Sequence, residues 1–344
     1  NDLVSLLNII SRLHMNNLIL TKKILNWYDN NKRILPWRKK CSQKKREYFT
    51  LVSEFMLQQT QVTTVIPYFN NFIADIPNLN SLARINEKKL LKHWEGLGYY
   101  LRAKNLKKTA KIIVDNYQGK LPSDFEELKK LPGIGDYTAN AISAIVFNKP
   151  TIPLDGNIER VLKRILNLKS EVKTKKENLH KQKKVFGQTN RSNDYVQALM
   201  EIGALICKPK IPHCNKCPIT KNCLSYKKKD FKIKPKNKKI INKFYLATLY
   251  KNQNQILLIK NDKFKFLKNL LIFPMREITY PDSLLKSKNK LNLKMSNMNM
   301  NICIDFVKIK KKPKNGLWIE SSKLENYMIP TFTKKIFASV KNNL

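Results

Sequence analysis

Residues 131–139 read Leu-Pro-Gly-Ile-Gly-Asp-Tyr-Thr-Ala and separate two segments, Phe125–Lys130 and Thr138–Phe147, whose apolar residues recur at helical spacing. Gly133 and Gly135 allow a tight turn, and bare N–H groups at a helix start can bind a phosphate oxygen without contacting a base. A Gly-x-Gly turn on its own equally fits an ordinary connection between helices. The stretch therefore predicts a helical hairpin, and its chemical role depends on what surrounds it.

A carboxylate follows this turn. Asp155 lies twenty residues after Gly135, in Pro153-Leu-Asp-Gly-Asn-Ile-Glu-Arg, directly before another helical segment. An Asp at this position usually caps the helix, because its side chain accepts hydrogen bonds from the first backbone N–H groups. Ser123 is placed to cap the helix that contains Phe125 in the same way. Apolar residues at helical spacing run from about residue 18 to residue 206, so this part of the chain is predicted to be mostly α-helical.

Four of the six cysteines form the most specific pattern in the chain, Cys207-x6-Cys214-x2-Cys217-x5-Cys223. Thiolates at this spacing can surround one zinc ion or one iron–sulfur cluster, and the spacing alone leaves both open. Disulfides are a third and weaker reading, since six cysteines in 344 residues are too few for a disulfide scaffold.

The hairpin, the carboxylate and the cysteine spacing together resemble the helix-hairpin-helix DNA glycosylases of the endonuclease III type. In that superfamily this cysteine spacing holds a cluster, so the resemblance implies one [4Fe–4S] cluster bound by Cys207, Cys214, Cys217 and Cys223. It also implies that Gly133 and Gly135 bind DNA phosphate.

Two features separate members of that superfamily. Lyase-type members carry a Lys nucleophile two residues after the second hairpin glycine, where this chain has Tyr137. Without that amine, an imine-linked lyase mechanism has no evident nucleophile. Four motifs then resemble the MutY family of adenine DNA glycosylases over about residues 24–223: Leu35-Pro-Trp-Arg, Val52-Ser-Glu-Phe-Met-Leu-Gln-Gln-Thr-Gln-Val, Trp94-Glu-Gly-Leu-Gly-Tyr-Tyr and Val196-Gln-Ala-Leu-Met-Glu-Ile-Gly-Ala.

This resemblance implies roles for individual residues. Glu54 would protonate the leaving adenine, which requires a dry pocket that keeps its proton near neutral pH. Asp155 would stabilise the sugar oxocarbenium ion, and Tyr137 and Asn157 would orient Asp155 and the sugar. The resemblance further implies an adenine pocket at Arg33, Trp37 and Gln197, and a DNA wedge at Gln58 and Tyr99. Without the resemblance, the ordinary interpretation of Glu54 is a solvated helix residue. That of Asp155 is a helix cap, and that of Tyr99 is an aromatic residue of the core.

The composition divides the chain into domains. Between Tyr226 and Lys243 there are nine Lys and one Asp, which predicts a basic linker over 226–243. Residues 18–225 before it are predicted to form the helical glycosylase core, with a six-helix part and a cluster part whose loop is 207–223. Residues 1–14 lack the features of a signal peptide, and residues 1–17 are expected to be a non-native or disordered extension.

The region after the linker, 244–344, is predicted to be a smaller α+β domain. Strands are predicted at Phe244–Tyr250, Gln255–Lys260, Asn301–Lys308 and Gly316–Ile319, and a polar loop at 281–300. The resemblance implies a Nudix-like lesion-recognition domain, without the Glu-rich box that nucleotide hydrolysis would need. Its lesion-sensing tip matches Met295-Ser296-Asn297, where Ser296 would contact the lesion and Asn297 replaces the family's His. A loop without any lesion contact is the alternative.

The charge balance suggests the partner without deciding it. Lys and Arg number 67 against 25 Asp and Glu, a net charge of +42, which favours a polyanion such as nucleic acid or an anionic membrane. Only ten of these cations are Arg, so compositional drift toward Lys is an equal explanation. No run of roughly 18 apolar residues suits a membrane helix. We expect a monomer in the bacterial cytoplasm, associated with nucleoid DNA.

The sequence thus predicts a mainly α protein that removes mispaired adenine from double-stranded DNA, opposite 8-oxoguanine or guanine, without lyase activity. Two alternatives stay open at this point. One is an endonuclease III-like glycosylase-lyase acting on oxidised pyrimidines, and the other is a DNA-binding relative without catalysis.

Overall fold

The computed structural model of this protein describes residues 18–168, 183–231, 240–279 and 289–341, except residues 296, 314 and 328. The predicted extension at 1–17, the middle of the predicted linker and the predicted lesion contact Ser296 lie outside the described residues.

The chain divides into two compact units. The helical unit takes the described residues within Asn1–Arg84 and Asn105–Pro235, and the C-terminal unit takes those within Lys236–Leu344 together with Ile85–Lys104. The domain limits given above stay a prediction, and this division differs from them in grouping Ile85–Lys104 with the C-terminal residues.

Helices build the first part of the chain, as predicted. They are α1 (18–31), α2 (Gln43–Leu57), α3 (Val62–Asp75), α4 (Leu79–Arg84), α5 (Glu87–His93), α6 (Leu101–Asn116), α7 (Phe125–Lys130), α8 (Asp136–Ile145), α9 (Gly156–Ile165), α10 (Ser192–Glu201) and α11 (Leu224–Lys227). Helix α5 and the first residues of α6 belong to the C-terminal unit. Within the described residues, no helix combines the length and the apolar character needed to cross a membrane.

One hydrophobic core of the helical unit joins α1, α9 and α10. Ile24 of α1, Ile158 and Leu162 of α9, and Tyr195 and Leu199 of α10 are almost completely buried in it. These residues recur at helical spacing within each helix, so each helix buries one apolar face. This packing holds the start of α9 against α10.

The glycine turn connects α7 to α8, so the predicted hairpin is confirmed. Asp124 caps α7, since its Oδ1 accepts hydrogen bonds from the backbone N–H groups of Glu126 and Glu127 at 2.9 and 3.0 Å. The prediction that Ser123 caps this helix was therefore wrong by one residue. Asp124 has the stronger acceptor for two N–H groups, because its carboxylate carries a full charge. Thr109 supports the turn by donating to the carbonyl of Pro132 at 2.8 Å.

Gly133 lies at the closest point between this turn and α2. Its φ is +82°, and a Cβ added there would lie 2.8 Å from Cε1 of Phe55 and 3.0 Å from Cβ of Asn105. Phe55 is fully buried and follows Glu54 directly on α2. The hairpin therefore packs on the helix that carries the predicted acid, and any larger residue at 133 would separate the two.

The C-terminal unit contains a mixed seven-stranded sheet. Its strands are β1 (Ile241–Asn252), β2 (Gln255–Lys260), β3 (Leu271–Ile272), β4 (Met275–Ile278), β5 (Lys290–Met295), β6 (Met298–Lys308) and β7 (Leu317–Glu320). β1 pairs parallel with β6 and antiparallel with β2 and β4, while β2 also pairs with β3 and β7. A further helix, α12 (Thr331–Ala338), adds Phe332 and Ile336 to the core beneath the sheet. The four predicted strands are confirmed.

The prediction of a loop over 281–300 was wrong for its second half. Residues 290–295 form β5, which pairs antiparallel with β6 from Lys290↔Cys303 to Met295↔Met298. Leu291, Leu293 and Met295 alternate with exposed polar residues, so the strand has the two-residue period of a half-buried strand. The low complexity of the segment hid this alternation. Residues 281–288 lie outside the described residues.

Gly133→Ala is predicted to lower the free energy of unfolding by about 2 kcal/mol, because the added methyl group overlaps Phe55 and the residue must keep a positive φ. Gly135→Ala is the matched control, since a Cβ at 135 meets no atom within 4 Å and its φ is −97°. Urea denaturation of both variants measures the difference. Equal losses in the two proteins would contradict the close packing of the turn on α2.

Candidate active site

A cavity of about 680 Å³ opens in the helical unit. Its walls come from α2, the starts of α8 and α9, α10, and the segment between α1 and α2. Seven of the predicted site residues line it, although they are far apart in the sequence: Arg33, Trp37, Glu54, Tyr137, Asp155, Asn157 and Gln197. The remaining predicted residues of the described chain do not line this cavity.

Glu54 is the buried acid of this cavity. It is 6% exposed, and Val52, Phe55 and Met56 beside it on α2 are fully buried. The pKa of Glu54 is raised from 4.5 to about 7, chiefly by burial and also by the charge of Asp155, while a hydrogen bond from Tyr137 and the charge of Arg38 oppose the rise. The carboxyl group therefore keeps its proton close to neutral pH.

Asp155 caps α9, as its position before the helix indicated. Its Oδ1 accepts hydrogen bonds from the backbone N–H groups of Asn157 and Ile158 at 3.0 and 2.7 Å, and its Oδ2 accepts from Nδ2 of Asn157 at 3.0 Å. Burial raises the pKa of Asp155, and these hydrogen bonds oppose the rise. Three donors thus hold the carboxylate in one orientation at the edge of the cavity.

Tyr137 binds one of the two carboxyl groups, that of Glu54, and is influenced by the charge of the other. It lies in the first turn of α8, directly after the glycine turn, and its hydroxyl group donates a hydrogen bond to Glu54. Burial and the charges of Glu54 and Asp155 raise the pKa of Tyr137 well above its usual value, so the hydroxyl group stays protonated. It can therefore act as a hydrogen-bond donor but not as an anion.

Arg160 links the cysteine segment to Asp155. Its guanidinium group donates to the carbonyls of Cys207 and Gly203, both at 2.6 Å, and to Oδ1 of Asn157 at 2.8 Å. Asn157 in turn donates to Asp155. Gly203 permits this close approach, since a Cβ there would lie 2.6 Å from Cβ of Asn157. Sequence reasoning missed Arg160, because an Arg within a helix carries no signal of which carbonyls it contacts.

Glu201 and Arg38 were also missed. Glu201 is completely buried, and its carboxylate accepts from Nε and Nη2 of Arg33 at 2.7 and 2.9 Å and from Nη1 of Arg38 at 2.7 Å. Both residues lie inside motifs already recognised, Met200-Glu-Ile and Pro36-Trp-Arg. An acidic residue in an otherwise apolar helix end was the available signal, because a buried charge needs a partner.

Comparison with known proteins indicates the family to which this chain belongs. The family model described as HhH-GPD superfamily base excision DNA repair protein matches residues 52–188. An adenine DNA glycosylase of Buchnera aphidicola subsp. Schizaphis graminum is 36% identical to this chain, over 94% of this chain and 99% of its own. The chain belongs to the adenine DNA glycosylase family. It is a base excision repair enzyme, an N-glycoside hydrolase that releases adenine from DNA.

The chain is also similar to a human protein and to a solved structure of another DNA glycosylase. The adenine DNA glycosylase of Homo sapiens is 38% identical over 58% of this chain and 38% of its own length. A solved structure of a thermostable thymine-DNA glycosylase is similar with a TM-score of 0.55 and 25% identity, over 62% of this chain and 98% of that chain. The helix-hairpin-helix fold that the resemblance implied is thus confirmed.

Gln58 and Tyr99 lie outside the cavity of this glycosylase. Gln58, at the end of α2, donates from Nε2 to the carbonyl of Gly133 at 3.3 Å and so joins α2 to the hairpin. Tyr99 belongs to the C-terminal unit, where the residue is 53% exposed and the guanidinium carbon of Arg102 lies 5.7 Å from the centroid of its ring. Tyr99 is exposed and its backbone φ is +48°, so the alternative that Tyr99 is an aromatic residue of the core is excluded.

The four cysteines of the predicted cluster loop surround one small cavity in the helical unit. Apolar side chains, among them Ile202 and Ile219, form the rest of its wall together with Arg164. Nη1 of Arg164 lies 3.3 Å from Sγ of Cys207, and none of the four thiols forms a disulfide. In the described part of the chain, no three His, Cys, Asp or Glu side chains converge closely enough to hold a single metal ion. The donor set is therefore four free thiols around a shared space.

Glu54→Gln is predicted to change the pH dependence of stability. The folded protein binds the Glu54 proton more tightly than the unfolded chain, so stability falls as pH rises from about 4.5 to about 7. Because the amide cannot ionise, the variant does not lose this stability. The difference in free energy of unfolding between the variant and the wild type should therefore shift in favour of the variant by up to about 3 kcal/mol between pH 4.5 and pH 8. Denaturant unfolding at both pH values measures it, and parallel pH profiles of the two proteins would contradict the buried acid.

Proposed function

We propose that this enzyme hydrolyses the N-glycosidic bond of adenine mispaired with 8-oxoguanine or with guanine, and that it has no lyase activity. One observation carries the chemical part of the proposal. A carboxyl group with a pKa of about 7, Glu54, shares a cavity with Asp155, whose carboxylate is held by three hydrogen bonds. One proton donor beside one oriented carboxylate is the arrangement that glycosidic bond cleavage requires.

In the proposed mechanism, Glu54 donates its proton to N7 of adenine. The bond between C1′ and N9 then breaks, and its electron pair leaves with the base, which departs neutral because of the added proton. Asp155 stabilises the oxocarbenium ion that remains on the sugar. Water adds to C1′ and its proton passes to the Glu54 carboxylate, which restores the acid. Tyr137 and Asn157 act as positioning residues for Glu54 and Asp155.

We propose that Arg33, Trp37 and Gln197 form the adenine pocket. Glu201 holds the guanidinium group of Arg33, and Trp37 packs edge-on against Phe69 with ring centroids 5.3 Å apart. Nε2 of Gln197 donates to the backbone carbonyl of Asn193 at 2.9 Å, which orients its amide group. Rigid walls of this kind suit a base that leaves the duplex, and extrusion costs least where the base is already mispaired.

DNA contacts outside the cavity are proposed for four residues. Gly133 and Gly135 would bind backbone phosphate through N–H groups of the hairpin turn. Gln58 and Tyr99 would fill the space that the extruded nucleotide leaves, and the exposure of Tyr99 supports this role.

The C-terminal residues 244–344 would form a Nudix-like domain that recognises 8-oxoguanine through Ser296. The basic linker 226–243 would join this domain to the core 18–225. The mixed sheet of this unit supports that proposal.

We also propose one [4Fe–4S] cluster, held by Cys207, Cys214, Cys217 and Cys223. A four-thiol donor set with apolar walls and an Arg beside one sulfur fits a thiolate-ligated cluster. When bound, the cluster would hold the 207–223 segment in shape and thereby the carbonyl that Arg160 contacts.

The enzyme is proposed to act as a monomer on double-stranded DNA in the cytoplasm of a bacterium. The bacterial relatives support this setting.

Excision of adenine from duplexes that carry an 8-oxoguanine:adenine or guanine:adenine pair is the test of the function. Alkali should cleave the strand at the resulting abasic site, and borohydride should trap no covalent enzyme–DNA adduct, because Tyr137 cannot form an imine. Strand breaks at thymine glycol without excision at mispaired adenine would establish the endonuclease III-like alternative. Tight binding without any excision would establish the non-catalytic one.

Glu54→Gln is predicted to retain binding to the mispair and to lose at least about 100-fold in single-turnover excision, the usual size of a general-acid contribution. Wild-type excision should fall above pH 7, where Glu54 loses its proton. Glu47→Gln is the matched control, since Glu47 is equally buried on α2 but accepts from the N–H of Leu121 and lies outside the cavity. Full activity in the Glu54 variant would contradict the assignment.

The purified protein is predicted to be brown, with absorbance near roughly 400 nm and bound iron and sulfide, as expected for a thiolate-ligated cluster. Cys207→Ser should lose this absorbance, whereas Cys41→Ser, outside the four-cysteine cavity, should keep it. Absorption spectra and metal analysis decide the matter. A colourless protein loaded with zinc would overturn the cluster.

A further inference from the structure

Three cations line the active-site cavity without a partner. Lys39, Lys40 and Arg46 all contribute to its wall, and within the described part of the chain their side chains have no ion pair, hydrogen bond or aromatic contact. Lys39 and Lys40 are exposed, and Arg46 is half-buried. They follow the short Pro36–Arg38 turn and continue into the first turns of α2.

The carboxylates nearby are already engaged by other arginines. Glu201 binds Arg33 and Arg38, and Asp194 accepts from Arg191 at 2.7 and 3.0 Å. The cavity wall therefore carries two arginines that share one carboxylate, and three further cations that pair with no side chain of the described residues. Such a wall attracts an anion that the protein itself does not supply.

The reaction in this cavity brings such anions with it. An extruded nucleotide that presents its base to Glu54 and its sugar to Asp155 carries a phosphate on each side of the same sugar. These phosphates come close to the Asp155 carboxylate, so their charges repel it unless cations offset the repulsion. Phosphate contacts of this kind position the strand without reading its sequence.

We infer that Lys39, Lys40 and Arg46 form a phosphate clamp that binds the backbone on the two sides of the extruded nucleotide. This inference rests on the proposed function, because it takes the cavity as the place where the nucleotide enters. The clamp is separate from the glycine hairpin, since neither Gly133 nor Gly135 lines the cavity. It assigns a specific role to three of the 67 basic residues.

The first test compares salt dependence. Lys39→Gln/Lys40→Gln removes two clamp charges, and Lys107→Gln/Lys111→Gln removes two charges from α6 that lie outside the cavity. The duplex carries a tetrahydrofuran abasic analogue in place of the mispaired adenosine, so that binding does not depend on adenine recognition. The slope of log Kd against log salt should fall by about 1.8 in the clamp variant, or about 0.9 for each lost phosphate contact. Equal changes in both variants would overturn the clamp.

The second test removes the phosphate charge instead. Neutral methylphosphonate linkages replace the two phosphates that flank the abasic analogue, and affinity is measured by fluorescence anisotropy. The wild type should lose affinity on this duplex by the same factor that the Lys39→Gln/Lys40→Gln/Arg46→Gln triple variant loses on the unmodified one, and the triple variant should lose no more. Arg46→Gln is measured in the same cycle. Independent, multiplying losses would overturn the contact between these side chains and these phosphates.

The two failures are distinguishable. If the wild type excises no adenine from the mispairs, the proposed function fails, while the binding cycle on the abasic duplex still reports on the clamp. If excision occurs but the losses multiply, the clamp alone fails.

Discussion

The burial of one carboxyl group, that of Glu54, is the constraint on which the rest of the site depends. Removal of this group from water is the largest reason that its pKa is raised to about 7, and this effect requires the apolar surroundings that α2 provides. Burial also raises the pKa of the second carboxyl group, that of Asp155, so its charge needs donors close by. Asp155 therefore lies at the start of α9, where backbone N–H groups and Asn157 stabilise its charge.

The charged groups around this pair are arranged by a few hydrogen-bonded side chains. Glu201 holds two arginines in the cavity wall, and Arg160 connects the carbonyl of Cys207 to Asn157 and thus to Asp155. A displacement of the cysteine segment would therefore move Arg160 and Asn157 and change the orientation of the Asp155 carboxylate. Part of the net charge of +42 has a specific position in this arrangement. The arginines that bind Glu201 form the cavity wall, and the cations of the proposed clamp remain to bind DNA.

Sequence reasoning located much of the site because its signals are local. The glycine turn, the cap at Asp155 and the four cysteines each depend on spacing within a short stretch, and resemblance then assigned Glu54. It failed where the decisive partner is distant. The pairing of Arg33 with Glu201 spans 168 positions, and Arg160 acts through carbonyl groups of residues 203 and 207. The strand at 290–295 was missed because its alternation is made of Leu, Lys and Asn, which also compose loops.

The sequence by itself determined the helical class of the core, the hairpin and the family of the enzyme, and it proposed Glu54 and Asp155, which the structure brings into one cavity. Each of these depends on residue types at fixed spacing, which folding does not alter. Only the tertiary structure decided that Glu54 is dry enough to hold a proton, and which arginines are compensated. Desolvation and ion pairing depend on atoms brought together from distant parts of the chain, and no local pattern of residues contains that information.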